Sequence, residues 1–216
     1  MLLEANRMAK RLLLVRHARI ATTEAGRFIG STDLPLDDLG HLQSRALAGR
    51  AAQLAPQRCY CSPMQRCTQT AQALAGPLAI AIDNDLREVD FGRWENCSFA
   101  QVRASDPALV DRWATLAPDF AFPGGERLAA FLQRVRSTAD RLVAEPCETV
   151  LAVTHGGVIR AMLCYLLGLD PRQYVVFHVA YASLAVIDLY DGQGVLSALE
   201  SVAEPARAAA EEVCHG

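Results

Sequence analysis

The chain has 216 residues, 51% of them hydrophobic and 21% charged. That length fits one globular domain that buries roughly 70% of its unfolded surface, so no disulfide or metal staple is required. Its 21 basic and 24 acidic residues leave a formal charge of −3, which excludes a general electrostatic attraction to nucleic acid or an acidic membrane. Seven cysteines, an odd number without regular spacing, point to a reducing compartment. No run approaches the ~18 apolar residues of a membrane span. Residues 1–10 lack the apolar core of a signal peptide, and Met8 is an alternative start. A cytoplasmic protein is expected.

Leu12-Leu13-Leu14-Val15 is a continuous apolar run, as in a strand buried on both faces. After a polar loop, Asp38 precedes Leu39, Leu42, Ala46 and Leu47, one face of a helix. Residues 58–61 form a second strand, in which Cys59 and Cys61 read as small buried hydrophobes. Ser62-Pro63-Met64-Gln65 then has the form of a capping box, with Ser62 as N-cap. The helix continues through Cys67, Ala71 and Leu74 to Gly76-Pro77, and residues 78–82 form another strand. From 86 to 125 the pattern is irregular. Leu128, Phe131, Leu132, Val135, Ala139 and Leu142 mark an amphipathic helix, and residues 149–153 a buried strand. An apolar helix spans 158–167. Residues 173–178, 183–190 and 195–199 read as strands, the last two joined by an Asp191-Gly192 turn. The alternation predicts a three-layer α/β/α sandwich with a mostly parallel sheet and an antiparallel edge. It forms a single domain over 1–216, with a core of about 11–200, an insert at 91–122 near the site, and a loose tail at 201–216.

Two histidines directly follow buried strands: His17 after residues 12–15 and His155 after residues 149–153. Ligands of open α/β sheets bind beyond the carboxyl ends of the strands, so both could face one crevice, or each could simply cap its strand. Arg66 sits in a first helical turn, where a cation opposes the helix dipole unless an anion or solvent meets it. Arg16 and Arg66 together would supply forked donors suited to phosphate. Gly156-Gly157 either offers backbone N–H groups to an anion or makes a plain turn. Glu88 lies among apolar residues, where desolvation would raise a carboxyl pKa and suit a general acid; a salt bridge to Arg87 or Arg93 is the other reading.

Five segments stand in the order and context of a known family: Leu14-Val15-Arg16-His17, Ser62-Pro63-Met64-Gln65-Arg66-Cys67-Thr68, Leu86-Arg87-Glu88-Val89-Asp90-Phe91-Gly92-Arg93-Trp94-Glu95, Pro123-Gly124-Gly125-Glu126 and Thr154-His155-Gly156-Gly157. The chain resembles the histidine phosphatase superfamily, with its phosphoglycerate mutase-like fold, from about residue 12 to 169. The resemblance implies that His17 becomes a phosphohistidine, that Arg16, Arg66 and a cationic His155 clamp the phosphoryl oxygens, and that Glu88 protonates the leaving oxygen. It implies a small-molecule phosphate ester as substrate, with no metal and no cofactor. Phosphoryl transfer needs mainly positioning and charge neutralisation, which these residue types supply.

The sequence departs from the family pattern at Ala18, where Gly is usual, and at Thr23, where a phosphate-binding Asn is usual. An Ala at a position needing positive φ would carry a steric cost. The segment from Asp90 to Glu95 resembles the phosphatase branch, and within it the α-ribazole phosphatases of cobalamin biosynthesis. A mutase-type phosphotransferase and a non-catalytic phospholigand-binding homologue are the alternatives. Phe91, Trp94, Phe99, Trp113, Phe120 and Phe122 cluster in the insert, either to pack it or to receive a flat substrate. The oligomeric state is open, a homodimer included.

Overall fold

A computed structural model describes residues 10–21, 26–117 and 119–202. In chain order the elements are β1 (Lys10–Arg16), α1 (Asp38–Gln53), β2 (Arg58–Cys61), α2 (Gln65–Leu74), β3 (Ile80–Ile82), α3 (Phe99–Ser105), α4 (Pro107–Ala114), α5 (Leu128–Val143), β4 (Thr149–Thr154), α6 (Gly156–Leu166), β5 (Ser183–Tyr190) and β6 (Gln193–Ser201). Short 3₁₀ segments occupy Asn84–Leu86, Gly92–Trp94 and Pro171–Val176. The strands form one sheet in the order β3-β2-β4-β1-β5-β6. The first four are mutually parallel, and β5 and β6 continue antiparallel.

The continuous apolar runs of β1 and β4 are explained by coverage on both faces. Alternate residues of a strand face opposite ways. Leu12, Leu14, Val150 and Ala152 therefore pack with α5, α6 and the insert. Leu13, Val15, Leu151 and Val153 pack instead with Leu47 and Ala51 of α1 and with Cys67, Ala71 and Leu74 of α2. Each fully buried aliphatic side chain contributes about 1.5–3 kcal/mol, so both layers are strongly held to the central pair. No helix among the described residues is long and apolar enough to cross a membrane.

Three local expectations are corrected. Residues 173–178 are not a strand: Asp170 and Gln173 form a reciprocal capping box around Pro171, and this starts the 3₁₀ segment. The buried face of α1 is Gly40, Gln43, Ser44, Leu47 and Ala51, while Leu42 is exposed. Gln43 turns inward there to accept a hydrogen bond from the Arg19 backbone N–H at 3.0 Å, and the Ser44 hydroxyl donates to the Gly40 carbonyl at 2.9 Å. Finally, α2 is not capped by Ser62. Its N-cap is Met64, and Asp33 from a remote loop accepts the Gln65 N–H at 2.8 Å. Of the expected tail, Ser201 ends β6, and residues 203–216 lie outside the described residues.

Candidate active site

Parallel pairing sets Arg16 of β1 opposite Thr154 of β4. The residues that follow, His17 and His155, are therefore neighbours: their ring centroids lie 5.1 Å apart, and the His17 N–H donates to the Thr154 carbonyl at 2.9 Å. Both rings are buried. His17 Nδ1 lies 2.9 Å from the Ala18 carbonyl. A carbonyl can only accept, so Nδ1 carries the proton and Nε2 presents its lone pair. Burial first, then the charges of Arg16 and Arg66, push the His17 pKa well below the ordinary imidazole value.

His155 is held from two sides. Arg66 Nε donates to its Nδ1 at 3.3 Å, so Nε2 bears the proton and donates to Ser62 Oγ at 2.8 Å. The Ser62 hydroxyl, read from the sequence as a helix cap, serves this imidazole instead. Burial, then His17, Arg66 and Arg16, push the His155 pKa well below the ordinary imidazole value, a direction opposed to the cationic His155 that the resemblance implies.

Arg66 lies in the first turn of α2 and is fully enclosed, not turned to solvent. Its Nη1 and Nη2 donate to the carbonyls of Thr32 and Gly30, each at 2.7 Å. Arg16 donates from Nη1 to the Val179 carbonyl at 2.7 Å and lies 4.0 Å above the Tyr181 ring. Its Nε is buried without a partner, and burial lowers its pKa. Among the described residues neither guanidinium pairs with a carboxylate. A buried cation without a counterion is costly; Arg66 is fully buried, Arg16 is partly buried with its Nε enclosed, and both lie close to the paired imidazoles. The arrangement is complementary to a compact anion.

Glu88 is half-buried, less enclosed than its apolar neighbours suggest. It forms neither expected salt bridge; Arg93 pairs with Asp106 at 2.8 Å instead. Its carboxylate accepts the Gly157 N–H at 2.9 Å and the Val89 N–H at 3.0 Å. A Cβ on Gly157 would stand 2.5 Å from Glu88 Oε1, so a side chain there would displace the Glu88 carboxylate from its present position. The Leu86 carbonyl accepts the Thr154 hydroxyl at 2.6 Å, which fastens the Glu88 segment to β4. Ala18 is not at positive φ, so it carries no such strain; its N–H donates to Thr70 Oγ1 at 3.1 Å. Thr23 lies outside the described residues.

A cavity of about 280 Å³ opens beside Arg16, Glu88 and Gly156. Its far wall includes Phe28, Phe91, Trp113, Phe122 and Phe131. Phe91 and Phe122 meet edge to face at 5.1 Å, as do Phe28 and Phe91. The insert's aromatics divide between both expected roles: Trp94 and Phe120 are buried packing residues, whereas Phe91, Trp113 and Phe122 reach the cavity. Phe99 is exposed.

Residues 12–201 match the histidine phosphatase superfamily (branch 1). The chain belongs to this family. It is 36% identical over 189 residues to a bifunctional protein of Mycobacterium tuberculosis, a match covering 83% of this chain and 50% of that one. The chain thus spans about half the length of the mycobacterial relatives it matches. Phosphoserine phosphatase 1 of Hydrogenobacter thermophilus is 30% identical over 189 residues, covering 86% of this chain and 90% of that one. The crystal structure of the α-ribazole phosphatase from Shigella flexneri matches with a TM-score of 0.79 at 26% identity, covering 88% and 96% of the two chains.

In this member of the histidine phosphatase superfamily the structure also recruits residues that sequence reasoning passed over. Ser62, Tyr181 and the carbonyls of Gly30, Thr32 and Val179 all touch the clustered side chains. Backbone carbonyls leave no signature in a sequence. Ser62 carried a signal, but a polar residue before a helix reads first as its cap.

Proposed function

We propose that the chain is a phosphomonoesterase that works through a phosphohistidine on His17. The observation that carries this reading is the buried Arg66 guanidinium and the partly buried Arg16, whose Nε is enclosed without a partner, gathered beside two buried imidazoles. A phosphate monoester supplies the missing anion. His17 Nε2 attacks phosphorus; the N–P bond forms as the P–O bond to the leaving alcohol breaks. Glu88 gives its proton to that departing oxygen. In the second step the Glu88 carboxylate takes a proton from water, whose oxygen attacks phosphorus and breaks the N–P bond. Orthophosphate leaves, and His17 and Glu88 return to their starting states. Arg16 and Arg66 hold the equatorial oxygens, and His155 joins them by turning one ring nitrogen from Ser62 or Arg66 to the phosphoryl group. A dianion beside His155 favours its protonated form, so the clamp gains a charge when it is filled.

The aromatic cavity supports a flat, largely uncharged leaving group over an amino acid. Phosphoserine carries both an ammonium and a carboxylate; Arg27 and Arg160 also line this cavity and could meet the carboxylate, but Glu88, the sole acid there, is engaged as the proton donor and leaves the ammonium without a free counterion. The base of α-ribazole 5′-phosphate suits these walls.

The test is rapid mixing with α-ribazole 5′-phosphate in the presence of a chelator, followed by an alkaline quench. One acid-labile phosphate on His17 is the expected product, absent from His17→Ala, which should also lose turnover while keeping its fold. Turnover by His17→Ala would overturn the mechanism. A kcat/KM that favours phosphoserine would overturn the substrate assignment alone.

A further inference from the structure

Glu95 belongs to none of the groups around the two imidazoles, yet its carboxylate is one of the most heavily bonded in the protein. It leaves the 3₁₀ segment Gly92–Trp94 beside Trp94, which is buried and donates from Nε1 to Asp106 at 2.8 Å. From that fixed corner Glu95 Oε1 accepts the N–H groups of Gly30 at 2.9 Å and Ser31 at 2.8 Å. Its Oε2 accepts the Thr32 hydroxyl at 2.8 Å and the Thr32 N–H at 3.3 Å. No Arg or Lys pairs with it among the described residues. A carboxylate meeting consecutive backbone N–H groups is bound by charge-assisted hydrogen bonds, roughly twice as strong as neutral ones.

The same short loop faces the other way with its carbonyls. Gly30 and Thr32 are the two residues whose oxygens grip Arg66, and the next residue, Asp33, caps the helix on which Arg66 stands. The loop therefore fixes both the root and the tip of this side chain. A Cβ on Gly30 would lie 2.0 Å from the Val89 carbonyl and 2.7 Å from Glu95 Oε1, so the backbone is pressed directly against the carboxylate.

We propose that Glu95 is a positioning residue for Arg66, acting through the backbone of residues 30–32. It would tie the insert that walls the aromatic cavity to the clamp that holds the anion. This rests on the phosphate-site reading above, and the experiment separates the two. Orthovanadate binding is measured by calorimetry on the wild type, Glu95→Ala, Arg66→Ala and the double variant, each checked for folding by thermal unfolding.

Arg66→Ala should weaken vanadate strongly, and Glu95→Ala alone should weaken it about 10-fold or more, the scale of a lost charge-assisted contact. In the Arg66→Ala background Glu95→Ala should add almost nothing, because the group it positions is gone. A loss of fold stability alone would lower the melting temperature equally in both backgrounds and leave vanadate affinity unchanged. Glu95→Gln keeps one acceptor oxygen for Gly30 and Ser31 and should fall between the wild type and Glu95→Ala; it carries the same cycle if Glu95→Ala does not fold. Wild-type vanadate affinity in folded Glu95→Ala, or equal losses in both backgrounds, overturns the proposal while leaving the phosphate site standing. Unchanged binding in Arg66→Ala overturns the phosphate site and this proposal with it.

Discussion

Where β1 and β4 end, His17, His155 and Arg66 are enclosed and Arg16 is partly so, all held by hydrogen bonds to carbonyls, a hydroxyl and each other. A short distance away, the cavity wall formed by the insert is held by ring edges against ring faces. The first region fixes charge and direction, and a change of one atom there leaves a buried group unpaired. The second fixes volume, and its ring contacts are each worth only about 0.5–1.5 kcal/mol. On the proposed mechanism the contrast separates two tasks: reaction at phosphorus falls to the polar end, and choice among leaving groups to the aromatic wall.

Three changes probe that separation. Glu88 stands between the regions, and Glu88→Gln keeps its shape but removes the proton. Turnover of alkyl phosphates should fall by about 10²–10⁴-fold, while p-nitrophenyl phosphate, whose leaving group needs little protonation, should lose far less. Steady-state kinetics on both substrates decide it; equal losses would remove Glu88 from the acid role.

A smaller effect concerns stability. His17 and His155 have folded pKa values below their unfolded value of about 6.5. The unfolded chain therefore binds more protons as the pH falls below that value. The stabilisation is intact above pH ~6.5 and is lost below it, at up to about 1.4 kcal/mol per pH unit for each imidazole. Denaturant unfolding between pH 7 and pH 5 should show this slope. A flat profile would mean that the imidazoles are not buried neutral. The smallest effect belongs to the aromatic wall. Trp113→Ala should raise KM for an aromatic ester about 2- to 10-fold with kcat nearly unchanged. A matching rise for phosphoserine would show that the wall does not discriminate.

The sequence displayed the central strands because burial on both faces leaves uninterrupted apolar runs, as at Leu12 to Val15. It displayed the two histidines because each directly follows such a run. Residues 173–178 were misread because Tyr174, Val175 and Val176 favour strands, whereas Asp170, Pro171 and Gln173 together start a 3₁₀ turn. The face of α1 was misread because Gln43 turns inward to serve a loop and Ser44 to bond the Gly40 carbonyl of its own helix. The lowered pKa of His155 and the roles of Ser62 and Asp33 depend on partners tens of residues away, and such contacts have no period to detect.

The pairing of Arg16 with Thr154 has a consequence for how errors in folding would be felt. A slip of one residue between β1 and β4 would exchange the two apolar faces of the moving strand. It would also carry one imidazole out of reach of the other. Turnover is therefore a sensitive reporter of strand alignment: a misaligned chain could keep its helices and most of its sheet yet have nothing with which to hold a phosphate.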